Sequence, residues 1–234
     1  MEINRKAIKG NAKLVIAKTK PSPILVSFVY VMVCFILEFL VEKISGEYDM
    51  VQETIGQYAA GNMDFVPDVP EISGWGHVLI IALSVMAIMM FVGFTVYRLQ
   101  ICQFRKAGIG NLFDGFGMFS KSLWLIILEC LLIAMWTCLL VVPGIIAFYR
   151  YRQALNLMIE NPEMSAFDCL RLSSQMMNGH KAELFLLDLS LLGWLLLMVI
   201  PGVIIWVAPY AGSTYTNYYL ALRDMPRSTF DATV

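Results

Sequence analysis

The chain has 234 residues, 59% of them apolar, with a mean hydropathy of +0.68; soluble domains carry roughly 45–50% apolar residues, so a water-soluble globule is excluded. Seventeen basic and 18 acidic side chains leave a formal charge of −1. No overall field recruits nucleic acid, and only the placement of charge is informative.

Residues 1–23 read as a basic amphipathic helix and its exit. At 100° per residue Arg5, Lys6, Lys9, Lys13 and Lys20 share one arc, while Ile3, Ala7, Leu14 and Val15 share the opposite one. Ile16 falls on the basic face. Such a helix lies on the inner leaflet and is drawn to anionic lipid by about 1 kcal/mol per base. Pro21 and Pro23 separate it from the first apolar run. A cleavable signal peptide is not expected, because that run starts late and ends in Glu42 and Lys43 rather than in small residues.

The chain holds six apolar stretches, at 24–41, 78–97, 123–142, 145–159, 184–200 and 203–222. Each except the short fourth approaches the ~20 residues that cross ~30 Å of hydrocarbon as a helix. Helices are the only choice, since lipid-exposed backbone must satisfy itself and no ten-residue alternation indicates a barrel. The expected fold is therefore an all-α polytopic membrane bundle over 24–222, with about six transmembrane helices. Lys and Arg set its orientation. They crowd the first twenty residues, the flank after the second stretch (Arg98, Arg105, Lys106, Lys121) and the tail 223–234 (Arg223, Arg227). The loop 43–76 holds Lys43 against six acids, with Glu42 just before it, so it is placed outside and both termini in the cytoplasm. A second interfacial helix is expected at 162–178, capped by Asn161, opened by Pro162 and ended by Gly179.

A duplication stands out at an offset of 58 residues. The eleven residues from Trp136, which end in Val-Pro143-Gly144-Ile-Ile, align without a gap on the eleven from Trp194, which end in Ile-Pro201-Gly202-Val-Ile. Each Pro-Gly pair can turn the chain or kink a helix, and the turn is the expected outcome. The copies would form two parallel hairpin repeats.

Charged groups inside apolar stretches are the default functional candidates. Glu38, Glu129, Arg150, Arg152 and Asp188 qualify, with Glu129–Arg152 and Glu38–Arg150 as geometrically allowed pairs and Asp188 without an obvious basic partner. Polar side chains recur at helical spacing as Tyr149, Arg152, Asn156 and Glu160, and again as Tyr210, Ser213, Thr214 and Asn217, with Pro209 and Gly212 beside them. These stripes either pack against each other or line a hydrated cavity.

Catalytic and cofactor signals are poor. His77 and His180 lie near opposite membrane surfaces, and no zinc-protease, nucleophile-elbow, phosphate-loop or dinucleotide motif occurs. Gly108, Gly110, Gly115 and Gly117 read as turn residues of a cytoplasmic loop. The five cysteines have no paired spacing and read as small apolar side chains.

The stretch 117–122, the Val-Pro-Gly-Ile-Ile of 142–146, Glu160-Asn-Pro162 with Ser165, the turn 177–181, Leu184-Phe185, Leu189-Ser190, Gly193-Trp194 and Pro209-Tyr210 together resemble the uncharacterised integral membrane proteins, mainly of Gram-positive bacteria, named domain of unknown function nine-seven-five. The resemblance covers nearly the whole chain and is strongest over 105–222. It implies a bacterial cell membrane and no assigned reaction. More distantly, the paired hairpins look like the membrane domain of glycerophosphodiester phosphodiesterases. Two functions remain in view. One is a non-enzymatic accessory or scaffold acting through other membrane proteins or a second copy of the chain. The other is a small transporter or lipid-handling protein with a polar cavity between the fourth and sixth stretches.

Overall fold

The computed structural model describes residues 4–200 and 202–225, so Ile3, Pro201, Arg227 and most of the tail 223–234 lie outside the described residues. These residues form helices joined by turns, and no strand occurs among them. Asn4 caps α1 (Arg5–Lys18) by accepting the Lys6 and Ala7 N–H groups. α2 (Pro23–Ser45) opens with proline at its first position, where the missing N–H is no loss. It closes at Gly46, whose φ of +74° and contact with Pro70 both require glycine.

The acidic segment expected as a loop over 43–76 is partly helical: α2 runs on to Ser45 and α3 (Glu47–Ala59) comes next with no buried residue. Its acids Glu47 and Asp49 sit in the first helical turn, where the dipole favours them. α4 (Gly74–Cys102) is capped by Ser73 and packs along α2, with Tyr30 stacked on Phe94 at 4.3 Å between centroids.

The glycine-bearing segment after α4 is no free loop. A 3-10 turn (Ile109–Phe113) and the one-turn α5 (Asp114–Gly117) fold back along α4, and a Cβ on Gly93 would overlap the Leu112 carbonyl oxygen. Gly93 lies about 14 Å along the axis from the end of α4. Gly115 makes the reciprocal contact, since its Cβ would overlap the Met89 carbonyl oxygen. Gly93 and Gly115 thus permit backbone-to-backbone packing, a role beyond turning the chain.

α6 (Phe119–Leu139) gives way to α7 (Val141–Tyr151) at a single extended residue, Leu140. The turn therefore precedes Pro143-Gly144 instead of falling on it. Proline at the third position of α7 forfeits no intrahelical bond, and Gly144 is buried against Thr137 of α6. The fourth apolar stretch is not one helix. α7 stops at Tyr151 and α8 (Ala154–Glu160) resumes after Arg152 and Gln153.

The helix expected at 162–178 is shorter and starts later, as α9 (Ala166–Met176). Ser165 caps it by accepting the Asp168 N–H, while the Asn161 side chain turns back to the Leu157 carbonyl. Gly179 comes after it at φ +79°. α9 packs on α6, α7 and α8 and buries Cys169, Leu170, Ser173 and Met176. α10 (Lys181–Leu197) and α11 (Ile204–Arg223) complete the chain, with Gly202 at φ +89° between them.

Among the described residues three helices, α2, α4 and α6, are long and apolar enough to cross a membrane. α11 touches α1, α2, α4 and α10, and buries Ser213, Thr214 and Thr216 among its apolar contacts. α1 sets Ile8, Ala12 and Val15 against this bundle and leaves Leu14 exposed. Its buried face is therefore shifted from the expected arc, because the protein competes with lipid for the apolar side.

Candidate functional site

The break between α7 and α8 organises the polar interior. Arg152 and Gln153 keep near-helical dihedrals, but the regular ladder lapses there. Ser173 of α9 repairs it: its hydroxyl accepts the Gln153 N–H at 3.2 Å and donates to the Arg150 carbonyl at 2.8 Å. Backbone groups in an apolar interior need such partners. The gap frees Arg152 to leave the helix surface. Its guanidinium lies over the rings of Phe148 (5.0 Å) and Tyr215 (4.6 Å) and stands 3.8 Å from Asp188 Oδ1. That distance marks an ionic contact without a hydrogen bond. The other Asp188 oxygen accepts the Tyr149 hydroxyl at 2.8 Å. Asp188 thus has a basic partner that sequence spacing does not reveal, supplied when α10 packs against α7.

Arg152, Glu129 and Asn156 line one cavity of about 400 Å³, together with Thr95, Arg98 and Thr216. The expected Glu129–Arg152 ion pair is not formed: no ion pair within 4 Å joins the two among the described residues, and they share only the cavity lining. Asn156 Nδ2 donates to Gln153 Oε1 at 3.2 Å, which holds both amides at the helix break.

Charge alone places Arg98 on a cytoplasmic flank, but α4 continues past it to Cys102 and carries it into the cavity wall. The legible signal is the apolar Leu99, Ile101 and Cys102 beyond it. Its Nη2 donates to Thr95 Oγ1 at 2.7 Å, its guanidinium lies 5.0 Å from the Phe94 centroid, and its Nε is buried without a partner. Gly212 of α11 makes the space, since a Cβ there would stand 2.5 Å from Arg98 Cδ.

Several candidates lie elsewhere. Glu38 is exposed on α2, and no ion pair joins it to Arg150 among the described residues. Tyr210 meets the Trp194 ring edge-on at 5.8 Å. Asn217 keeps a buried Nδ2 without a partner, away from the cavity lining. The stripe 210, 213, 214, 217 is therefore not the cavity face of α11. That face carries Gly212, Tyr215 and Thr216, while Thr214 satisfies itself on the Tyr210 carbonyl.

Glu160 anchors a second cluster at the end of α8. Its carboxylate accepts the Tyr219 hydroxyl at 2.5 Å, Arg223 Nη1 at 2.5 Å and the Gln103 amide, tying α4, α8 and α11 together. On α1, Lys9 donates to the Ser190 carbonyl at 3.0 Å; partial burial, with Arg5 and Lys13 nearby, pulls its ammonium below the ordinary value.

Residues 132–225 match the family model described as Protein of unknown function (DUF975). The match agrees with the family resemblance read from the residues. Within the DUF975 match lie Arg152, Asp188, Gly212 and Tyr215, whereas Arg98 and Glu129 precede it. Neither the curated proteins nor the solved structures supply a match, and the similarity to the phosphodiesterase membrane domain is not shown.

Proposed function

We propose that the chain is a multi-pass protein of the bacterial cell membrane that transports or handles a small molecule through the cavity around Arg152. In this reading it crosses six times. α2, α4 and α6 cross as single helices, α7–α8 as one interrupted helix, and α10 and α11 complete the set, with both ends on the cytoplasmic side where Lys and Arg cluster. The exposed bases of α1, Arg5, Lys6 and Lys13, rest against anionic headgroups.

The observation that carries the proposal is a cavity of about 400 Å³ walled by two arginines and a glutamate at a broken helix. Pockets of a few hundred Å³ suit small ligands, and broken helices recur at the binding sites of transporters. The accessory or scaffold reading relies on α1 and the 162–178 helix as open docking surfaces. Both bury most of their apolar residues in the bundle and leave Leu14 and Phe167 exposed, so less is left for a partner to grip.

The test uses proteoliposomes loaded with a mixture of cellular small molecules and a fluorescent phospholipid. Wild type is expected to exchange at least one component or flip the lipid, at a rate that Arg152→Ala lowers at least tenfold while folded yield is unchanged. Equal rates in wild type, Arg152→Ala and protein-free vesicles would remove the proposal.

A further inference from the structure

We infer that the cavity takes the phosphate of a lipid headgroup that enters sideways from the bilayer, with Arg98 and Arg152 as its ligands. This inference rests on the proposed function, and narrows it from a small molecule to one chemical class.

The first support is charge. Arg152 is met by Asp188, but Arg98 has no carboxylate within 4 Å among the described residues, and its Nε is buried without a partner. Its other contacts, Thr95 Oγ1 and the Phe94 ring, are neutral. A half-buried guanidinium with no carboxylate beside it calls for an anion. Gly212 lets α11 pack closely on Arg98 Cδ and Nη1, which holds the side chain in the cavity wall.

The second support is the pairing of donors. Arg98 and Arg152 line the same space, with the Asn156 amide beside them. Planar guanidinium forks match phosphate oxygens two at a time, which lysine cannot do. Glu129 shares the wall. It would repel a bare anion, and so favours a headgroup whose far end offers a hydroxyl or ammonium donor.

The third support is the rim. Phe91 and Phe148 line the cavity and yet are 45% and 41% exposed. Phe91 lies on α4, one of the helices apolar enough to cross the membrane. A free hydrophilic anion gains nothing from such an entrance. An amphiphile leaves its acyl chains on the aromatic rim while its headgroup reaches the arginines.

The experiment measures lipid binding to the purified full-length chain in mild detergent by native mass spectrometry, with displacement of a fluorescent phosphatidylglycerol in parallel. One saturable phosphatidylglycerol per chain is expected. Diacylglycerol with the same acyl chains should bind at least tenfold more weakly, and so should phosphatidylglycerol to Arg98→Gln or Arg152→Gln. Arg98→Lys, which keeps the charge and loses the fork, should fall between and also guards against a variant that fails to fold. Lys43→Gln, which removes an exposed base at the far end of α2 beside Asp49, should bind within twofold of wild type. Equal binding by the arginine variants, or by diacylglycerol, overturns the inference. Displacement of the lipid by millimolar inorganic phosphate, with no contribution from acyl chains, overturns the lipid as the source. Arg152-dependent exchange in vesicles without phosphatidylglycerol binding would leave the proposed function standing and sink the headgroup. Headgroup binding without any exchange would do the reverse.

Discussion

At the α6–α7 hairpin the chain reverses through one residue, Leu140, and Gly144 then lies against Thr137. At the α10–α11 hairpin the link holds Gly202, which takes φ +89° with open space around it. The glycine of the repeated pattern therefore lies in a helix start in one place and in a left-handed link in the other. The tight closure keeps α7 against α6, so that Glu129 and Phe148 reach one cavity. The looser closure leaves α11 an unbroken helix that carries Pro209 in its interior. Shared sequence thus sets where the helices end, while the contacts of the glycine decide how closely they return.

The largest effect that can break this contrast comes from adding one methyl group to each glycine. A Cβ on Gly144 would overlap Thr137 Oγ1 and stand 2.8 Å from Thr137 Cα, where backbone cannot yield cheaply. Gly144→Ala should lose about 3 kcal/mol, the upper part of the overpacking range. Gly202→Ala meets no atom and carries only the left-handed penalty of about 1–2 kcal/mol. Thermal unfolding in detergent, followed by tryptophan fluorescence, should rank them in that order, and Thr137→Ala should restore only part of the Gly144→Ala loss. The reverse ranking would mean that the two hairpins close alike.

A second intervention tests whether the break in α7–α8 is a built feature of the first hairpin. Ser173→Ala leaves the Gln153 N–H and Arg150 carbonyl without their partner in an interior position. A loss of about 2 kcal/mol is expected. The effect should be accompanied by weaker protection of the amides at 152–154 in hydrogen exchange, with α11 unchanged. Uniform loss of protection across both hairpins would show that Ser173 acts on the whole bundle and does not serve the break.

Much of the fold is legible in the sequence because hydrophobic stretches and capping residues act locally. Pro23 and Gly179 mark helix ends through their own backbone preferences. The candidate site is half legible. Glu129, Arg152 and Asn156 fall on the right faces by spacing alone, and they share the cavity. Arg98 escapes such reasoning because the first charge after an apolar run looks like the end of a span, whereas here the helix continues. Asp188 finds its partner only through the packing of α10 on α7, and Ser173 only through the insertion of α9. The polar stripe of α11 points to the wrong face, since Thr214 bonds within its own helix and Gly212, which has no side chain to notice, makes the room that matters. Contacts between segments distant in the chain leave no local trace.

The smallest effect sharpens the comparison where the two hairpins join. Arg223 of α11 reaches Glu160 at the end of α8, but its side chain is 38% exposed and it also pairs with Asp224. Water and salt therefore screen the pair, and Arg223→Gln should cost less than about 1 kcal/mol. The residual effect should fade in molar salt, where charges separated from solvent by little protein stop interacting. Glu160 keeps its bond from the buried Tyr219 in this variant, so the junction of α8 and α11 should stay closed. A loss larger than that of Gly202→Ala, undiminished by salt, would make this ion pair a stronger link between the hairpins than the turn at Gly202 itself.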